Sequence, residues 1–527
     1  MKNKKKNESG GLHFFLVILI SLFLISLAGF LPIRGNCSDL TLKETSLGKI
    51  HPGIVRETLQ ISPLGNRVAY VAKNGEKYLM VIDGIAGKEY DGIHLPISIF
   101  SPDEKTSIYA AWRDNKIFTV INGLEGKPYA RMSLLVFSPD SQKIACWVAT
   151  GEKETELKAM VLINGKEGPA FDWFGSAGPG PLGRDVKKYQ PVFSPDSQHL
   201  AYVALKGNGE LMVKDDQEGQ EYKEIANFPI FTPDSKRLAY LAKKNKKWMA
   251  VLDGVEGQEY DRIDNLMFSP DGKRLAFIAY RNDNQLVVVD GKEGKEYQMI
   301  DKIIFSPDGQ HLAYIADIGQ KQVLVVDGQE SKPYDLINHL VYSPDSKHLA
   351  YSAMSGQREV VIVDGREKTN HQFVVSFNFS PDSQKVIYTG RDGMEAVDLF
   401  VGDKKIKTYD EISPVVFSPD GKKMAYWAQK GEKNFVVVDG VEGAAYDRPD
   451  YLFLAKYEPI FSPDSKNLAY VAVRGGKNLL VINNLESQPY DEILSQPKFN
   501  SPESLHFLAI NKNEIVKIEA SLKSSGK

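Results

Sequence analysis

Aspartate has the most suggestive spacing in this chain, because two series of aspartates recur along most of its length. In the first series each aspartate follows a Ser-Pro or Thr-Pro pair: Asp140, Asp196, Asp234, Asp271, Asp308, Asp345, Asp382, Asp420 and Asp464. In the second series each aspartate precedes a glycine: Asp83, Asp253, Asp290, Asp327, Asp364 and Asp439. Repeated carboxylates could bind calcium or act as general acids and bases.

Both series fit turn chemistry better than catalysis or metal binding. A carboxylate that follows proline accepts backbone N–H bonds and fixes a tight connection. In the second series Asn122, Asn164 and Asn483 replace the aspartate, which suits a turn with positive φ but not a metal ligand that needs charge. Neither common calcium-loop pattern occurs. We therefore predict no catalytic, metal or cofactor-binding residues among these aspartates.

Other sequence patterns for catalysis are also missing. The nine histidines contain no H-x-x-x-H pair and have no partner cysteines, so the sequence does not favour a zinc site. His199, His311 and His348 occupy a position that other repeats fill with Arg or Lys, and we expect them to be exposed. No G-x-S-x-G nucleophile motif is present, and the Gly-rich residues 175–183 lack the Gly-Lys-Ser/Thr of a phosphate loop. We predict that the protein is not an enzyme and has no cofactor.

The aspartates recur because the chain repeats a unit of about 37 residues, clearest in residues 268–304 and 305–341. The spacings between successive Ser/Thr-Pro pairs are 39, 37, 56, 38, 37, 37, 37, 37, 38, 44 and 39 residues. We number units 1 to 12 by these pairs, which begin at Ser62, Ser101, Ser138, Ser194, Thr232, Ser269, Ser306, Ser343, Ser380, Ser418, Ser462 and Ser501. Self-similarity at a fixed period indicates supersecondary units that stack on their neighbours.

Each unit reads as four short antiparallel strands, because runs rich in Val, Ile, Phe and Tyr alternate with Gly, Pro, Asp and Ser. The second and third strands are apolar on both faces: Leu312 and Tyr314 point one way, while Ala313 and Ile315 point the other. A sheet buried on both faces must lie between two others. The sequence therefore predicts an all-β fold, a β-propeller of twelve four-stranded blades, with a linear solenoid as the alternative.

Propellers typically have four to eight blades, so we expect two rings, divided as residues 53–304 and 305–520. Two longer units carry extra residues at 172–188 and 448–456, seven units apart. These insertions suggest an alternative in which they are crossovers, with a seven-bladed ring nested inside a five-bladed ring built from both chain ends. Contact between units 3 and 4 within one ring would exclude the nested division.

The repeated motif F-S-P-D-G/S-x-x-L-A-Y, which covers roughly residues 55–515, resembles the WD40-like PD40 repeat family. This is the TolB-like propeller class of the bacterial envelope. The terminal units depart from the motif, since Leu64 and Glu503 replace the turn aspartate. The resemblance implies a binding scaffold outside the cytoplasm and leaves the partner unidentified.

The N-terminus has a different character. Four lysines, from Lys2 to Lys6, precede the uncharged residues 14–31. This pattern predicts a transmembrane anchor or a cleaved signal peptide within residues 1–33, followed by a polar linker over 34–52. The repeats would then lie at the cell envelope, membrane-anchored or exported to the periplasm. Cys37 lacks the preceding residues of a lipidation site, and two cysteines cannot form a disulfide framework.

Positions that differ between units are the candidates for partner binding. The insertions contribute residues that either bind a partner or pack against a ring: Trp173, Phe174, Arg184, Tyr451, Phe453 and Tyr457. The near-balanced net charge of -3 gives no electrostatic footprint for nucleic acid. We expect a non-enzymatic scaffold that binds envelope or secreted proteins. Recognition of a glycan or cell-wall polymer, and a propeller lactonase or lyase, are the alternatives.

Overall fold

The computed structural model describes residues 37–152, 156–172, 189–393, 396–447 and 457–524. Within these ranges the regular structure is β-strand, apart from one 3-10 turn at Arg56–Thr58. None of the described segments is a helix long and apolar enough to cross a membrane. The anchor or signal predicted over residues 1–33 lies outside the described residues.

Unit 6 shows how the repeat folds into a four-stranded antiparallel sheet. Its strands are Arg262–Phe268, Leu275–Arg281, Asn284–Val289 and Lys292–Tyr297, and they lie side by side in chain order. The Ser-Pro-Asp-Gly turn joins the first strand to the second. Asp290 and Gly291 join the third to the fourth with φ angles of 51° and 76°. The predicted antiparallel sheet and the positive-φ turn are thus confirmed.

The other units follow the same order from the inner strand to the outer strand. Units 1 and 2 contain Gln60–Ile61, Val68–Asn74, Lys77–Ile82, Ile85–Tyr90, Gly92–His94, Ile108–Arg113, Lys116–Ile121 and Leu124–Tyr129. Units 3 and 4 contain Arg131–Met132, Val136–Phe137, Ile144–Thr150, Lys158–Ile163, Lys166–Glu167, Phe171–Asp172, Val192–Phe193, Leu200–Lys206, Gly209–Lys214 and Gln217–Tyr222. Units 5 and 7 contain Glu224–Phe231, Leu238–Lys244, Lys247–Leu252, Val255–Glu256, Ile300–Phe305, Leu312–Ile318, Lys321–Val326 and Gln329–Glu330.

The later strands continue this pattern. Units 8 and 9 contain Leu336–Tyr342, Leu349–Ser355, Arg358–Val363, Arg366–His371, Phe373–Phe379, Val386–Arg391, Val397–Val401 and Lys404–Tyr409. Units 10 and 11 contain Glu411–Ile412, Val416–Phe417, Met424–Lys430, Lys433–Val438, Val441–Glu442, Tyr446–Asp447, Ile460–Phe461, Leu468–Arg474, Lys477–Ile482 and Leu485–Glu486. Unit 12 contains Glu492–Ile493, Lys498–Ser501, Ser504–Asn511 and Glu514–Ser524, and its sheet also includes Cys37–Lys49.

The first aspartate series fixes the turn between the inner and second strands. The Ser269 hydroxyl donates to the Asp271 carboxylate at 2.6 Å, and the same oxygen accepts the Lys273 N–H at 3.1 Å. The Ser269 hydroxyl and the Lys273 N–H lower the pKa of Asp271 to about 2. The turn chemistry predicted for this series is therefore confirmed.

We expect acid to destabilise the protein through these turns, because the pKa is lowered for eight aspartates of the first series and for Asp103, which has the same place in unit 2. A carboxyl whose folded pKa lies below its unfolded value stabilises the fold above the unfolded value, near pH 4, and loses that contribution as pH falls further. The urea midpoint should fall between pH 5 and pH 3, and Asp271→Asn should show a smaller fall. A midpoint that stays constant over this range would contradict the expectation.

Consecutive sheets pack face to face, because their second and third strands are apolar on both sides. In unit 7, Tyr314 packs toward unit 6 and Ile315 packs toward unit 8. The last sheet packs on the first, since Leu508 of unit 12 shares a buried cluster with Tyr70 of unit 1. The described sheets therefore form one closed cycle, which is the arrangement of a β-propeller.

The expectation of two rings divided at residue 304 is wrong, because Tyr314 of unit 7 packs on Ile278 of unit 6 across that boundary, and unit 12 packs on unit 1. Trp147 of unit 3 packs edge to face on Tyr202 of unit 4, with centroids 5.2 Å apart. Trp427 of unit 10 packs in the same way on Tyr470 of unit 11, at 5.4 Å. The units that flank each insertion are thus ordinary neighbours, which excludes the nested division as well. The proposed boundary at 304/305 also falls inside the strand Ile300–Phe305. One ring can contain more blades when the angle between neighbouring sheets is smaller.

The predicted linker over residues 34–52 contains the strand that closes the cycle. Cys37–Lys49 pairs antiparallel with Glu514–Ser524 and forms the outer strand of the last sheet. Leu40 and Leu42 pack against the buried cluster shared by units 11 and 12. The prediction of a linker was wrong because apolar residues alternate here, as they do in a half-buried strand.

Candidate functional site

The sheets have two ends with different contents. The Ser/Thr-Pro-Asp and Asp-Gly turns lie at one end, which we call the turn face. The opposite end, the hairpin face, holds the loops between second and third strands and the connections into each inner strand. Both insertions join the outer strand of one unit to the inner strand of the next. Their flanking residues, Asp172 and Tyr189 for the first insertion, therefore lie on the hairpin face.

Only one of the six residues predicted to bind a partner lies in the described part of the chain. Tyr457 is 3% exposed, belongs to a core cluster, and donates its hydroxyl hydrogen bond to the Ile493 carbonyl. It therefore packs inside the fold and is not an exposed anchor. The other five lie outside the described residues: Trp173, Phe174, Arg184, Tyr451 and Phe453.

A buried tryptophan anchors the chain where it returns from each insertion. The Trp147 indole donates to the Tyr189 carbonyl at 2.5 Å, and the Trp427 indole donates to the Tyr457 carbonyl at 3.0 Å. The Tyr189 hydroxyl in turn donates to Glu210 at 2.8 Å. Both insertions thus end on a fixed base built by the preceding unit.

These anchors were not predicted, although the sequence contains a signal for them. Trp147 and Trp427 stand in the second strand at a position where other units carry smaller residues such as Val71, Leu241 and Ile315. The two tryptophans occur in the units directly before the two insertions. A comparison of the repeats position by position would have linked them.

An exposed apolar stripe runs along the hairpin face of units 7, 8 and 9. Leu336 and Phe373 begin the inner strands of units 8 and 9, and Met299 directly precedes that of unit 7; they are 45%, 51% and 45% exposed. Val375 of unit 9 is 48% exposed and completes the stripe. The same starting position is charged in five other units: Arg131, Glu224, Arg262, Glu411 and Glu492.

Ion pairs border the stripe. Arg262 and Asp264, 2.6 Å apart, lie on the unit 6 side, and Arg391 and Glu411, 3.0 Å apart, lie on the unit 10 side. Two more pairs lie along the connecting loops: Lys321–Asp335 at 2.9 Å and Arg358–Asp392 at 2.7 Å. An apolar centre with a polar rim is the usual anatomy of a protein–protein interface.

Exposed apolar residues on the turn face are more scattered. Ile85, Leu124, Val255 and Val441 begin the outer strands of units 1, 2, 5 and 10. No three of these residues lie on consecutive units. The stripe on the hairpin face is therefore the more concentrated apolar surface.

Reactive groups are sparse in the described part of the chain. No group of three His, Cys, Asp or Glu residues there could hold a metal ion. Cys146 is buried, and burial raises the pKa of its thiol to about 12, so it is a packing residue and not a nucleophile.

Comparison with known proteins yields structural similarities only. No protein-family model matches the chain, and no curated protein matches it. This chain is 14% identical in sequence to the protein in the crystal structure of the eukaryotic initiation factor. The match covers 73% of this chain and 96% of that chain, with a TM-score of 0.33. TolB from Acinetobacter baumannii is 20% identical in sequence; the match covers 49% of this chain and 77% of that chain, with a TM-score of 0.21. The β-propeller domain of the Trilobed protease from Pyrococcus furiosus is 13% identical in sequence; the match covers 50% of this chain and 95% of that chain, with a TM-score of 0.26.

These similarities do not reach the level at which function can be transferred. The PD40 resemblance stays a prediction, since no family model supports it. The cyclic packing of the described four-stranded sheets identifies the fold, and on that basis the chain is a β-propeller.

Proposed function

We propose that this protein is a non-enzymatic, extracytoplasmic scaffold, a PD40-type propeller whose twelve units form one ring, and that it binds a partner protein through the apolar stripe. The observation that carries the proposal is the replacement of charged residues by Met299, Leu336 and Phe373 on three consecutive units. Taking a side chain of this kind from full exposure to full burial is worth roughly 1.5–3 kcal/mol, so each of these half-exposed residues would contribute about half of that to a complex. A partner that covers the stripe would therefore gain useful affinity.

The chemistry of the stripe favours a protein over a glycan or cell-wall polymer. A hydroxyl-rich polymer needs hydrogen-bond donors and acceptors at the centre of its site. The side chains of Leu336, Phe373 and Val375 offer none. An apolar segment of a partner protein matches the centre, and its polar flanks match the surrounding ion pairs.

The closing strand supports an orientation for this scaffold. Cys37 pairs with Ser524 at the turn face, whereas Lys49 pairs with Glu514 at the hairpin face. An anchor within residues 1–33 would therefore join the propeller near its turn face. The stripe and the bases of both insertions would then face away from the membrane.

We expect the double substitution Leu336→Glu and Phe373→Arg to reduce partner capture at least ten-fold, because it places charges at the centre of the stripe. Both side chains are about half exposed, so the thermal midpoint should change by less than about 2 °C. Capture would be measured by quantitative mass spectrometry after crosslinking the protein in membranes of the source organism.

The matched control is Ile85→Glu with Leu124→Arg, which makes the same kind of change on the turn face, where both residues are 75% exposed. Capture by this control should equal that of the wild type. Equal losses in both double variants, or no loss in either, would refute the proposed surface. Retention on isolated cell wall that depends on Leu336 and Phe373 would instead support the glycan alternative.

A further inference from the structure

Unit 9 lacks a contact that recurs in ten other units. In those units an Asp or Asn at the end of the third strand accepts the backbone N–H that begins the second strand. In unit 8, for example, Leu349 donates to Asp364 at 3.0 Å. Unit 9 reverses the Asp-Gly order, so Gly402 holds the position and Asp403 follows it. The N–H of Val386 therefore has no such carboxylate.

The backbone of unit 9 nevertheless follows the common pattern. Gly402 donates its N–H to the Val386 carbonyl at 2.7 Å, just as Asp364 donates to Leu349 at 2.9 Å. The φ angle of Gly402 is 59°, close to the 49° of Asp364. Only the side chain is missing, and a Cβ added at Gly402 would meet no other atom within 4 Å.

The cation that normally pairs with this carboxylate is still present. In six other units an Arg or His before the second strand pairs with the aspartate, as Arg237 does with Asp253 at 2.9 Å and His311 with Asp327 at 2.7 Å. Unit 10 has a lysine there, Lys423, which donates instead to the Ser465 carbonyl at 3.1 Å. Lys385 stands at that position in unit 9. Among the described residues no carboxylate lies within ion-pair distance of its ammonium group.

A cleft of about 240 Å³ opens at this point between units 8 and 9. One wall is polar and includes Lys385, Gln384 and Lys368, whose ammonium group lies 3.7 Å from Asp403. Asp364 also lines the cleft and is paired with His348 at 2.7 Å, so both carboxylates of the lining already have a partner. The aromatic rings of Phe379 and Tyr388 line another part.

The neighbouring unit 8 also leaves room in the cleft. In unit 6, Arg274 reaches across the interface to the Gln310 carbonyl of unit 7 at 2.7 Å. The shorter His348 bonds Asp364 of its own unit at 2.7 Å instead. The cleft therefore lies where Gly402 removes a side chain on one side of the interface and where His348, like His199 and His311 in their units, replaces a longer Arg or Lys on the other.

We propose that this cleft binds a small-molecule carboxylate whose carboxylate group takes the place of the missing aspartate side chain. The ligand would accept the Val386 N–H and pair with the Lys385 ammonium. Its body would pack against Phe379 and Tyr388, and its size would be that of benzoate or succinate. This site on the turn face is separate from the apolar stripe and does not depend on it.

The test restores the repeat with the double substitution Gly402→Asp and Asp403→Gly. Binding of sodium benzoate and sodium succinate would be measured by calorimetry and by the chemical shift of the Val386 amide, with sodium chloride at matched ionic strength as the reference. The wild type should bind at least one of the two carboxylates. The double variant should bind at least ten-fold more weakly and should unfold at a higher temperature without ligand.

A second pair of variants separates charge from cleft shape. Lys385→Met should weaken carboxylate binding at least ten-fold, whereas Lys423→Met, at the same position in unit 10, should leave it unchanged because Asp439 already occupies that position. Sodium phosphate forms a further arm, and tighter binding of phosphate than of both carboxylates would overturn the proposal. No binding of either carboxylate at millimolar concentration, or equal binding by wild type and the restored variant, would overturn it as well.

Discussion

Deletion of residues 1–49 is expected to lower the free energy of unfolding by roughly 5 kcal/mol or more, since ten residue pairs of the closing strand are lost at about 0.5–1.5 kcal/mol each. The deletion also exposes the outer edge of Glu514–Ser524 and removes the packing of Leu40 and Leu42. The last sheet then loses its outer strand and keeps only its packing on the first sheet, through residues such as Leu508 and Tyr70. Urea unfolding followed by tryptophan fluorescence would measure the change.

The control is a shorter deletion, of residues 1–36, which keeps the closing strand. Its urea midpoint should match that of the exported or detergent-solubilised full chain. If both deletions unfold at the same midpoint, then Cys37–Lys49 does not close the ring in solution. Loss of the Lys43–Glu519 ion pair alone, at 3.3 Å and exposed, should cost less than about 1 kcal/mol. The Lys43→Ala variant therefore separates that ion pair from the strand as a whole.

The sequence predicted the blade well, because every feature of the blade is repeated. The alternation of Leu312, Ala313, Tyr314 and Ile315 showed a strand buried on both faces, and each of these side chains is buried. The positive φ at Asp327 and Gly328 followed from the interchange of Asp and Asn. Comparison between units could separate turn chemistry from catalytic chemistry, since what all units share serves folding.

The ring could not be predicted in the same way. Whether units 3 and 4 are neighbours depends on the angle between sheets, and no local pattern encodes that angle. The closing strand Cys37–Lys49 lies outside the repeat, so its pairing with Glu514–Ser524 had no internal copy for comparison.

The candidate sites lie where single units depart from the repeat. The stripe is visible in the sequence as Met299, Leu336 and Phe373 at a position that is charged in five other units, but their exposure needs the structure. The cleft is visible as the reversed order of Gly402 and Asp403. Its volume depends in addition on the short side chain of His348 in the next sheet.

Trp147→Ala is expected to destabilise the protein by about 3–5 kcal/mol, the usual cost of removing a large buried aromatic side chain. Trp147 is fully buried, and it packs edge to face on Phe171 and Tyr202. Its loss also removes the indole N–H that the Tyr189 carbonyl accepts. The return point of the first insertion is then released, so proteolytic cleavage within residues 173–188 should become faster as well.

Two further variants divide this effect into its parts. Trp147→Phe keeps most of the ring packing but removes the N–H, so its cost should be nearer 1–3 kcal/mol, with cleavage still accelerated. Trp248→Ala removes a partly exposed indole from a unit without an insertion, and it should leave cleavage of residues 173–188 unchanged. Urea unfolding and timed digestion, with the cut sites identified by mass spectrometry, would measure both quantities. The two alanine variants are compared at conditions where the same fraction of each is unfolded. If Trp147→Ala is less stable than the wild type but is cleaved within residues 173–188 no faster than Trp248→Ala, then Trp147 is a core residue and not an anchor for the insertion.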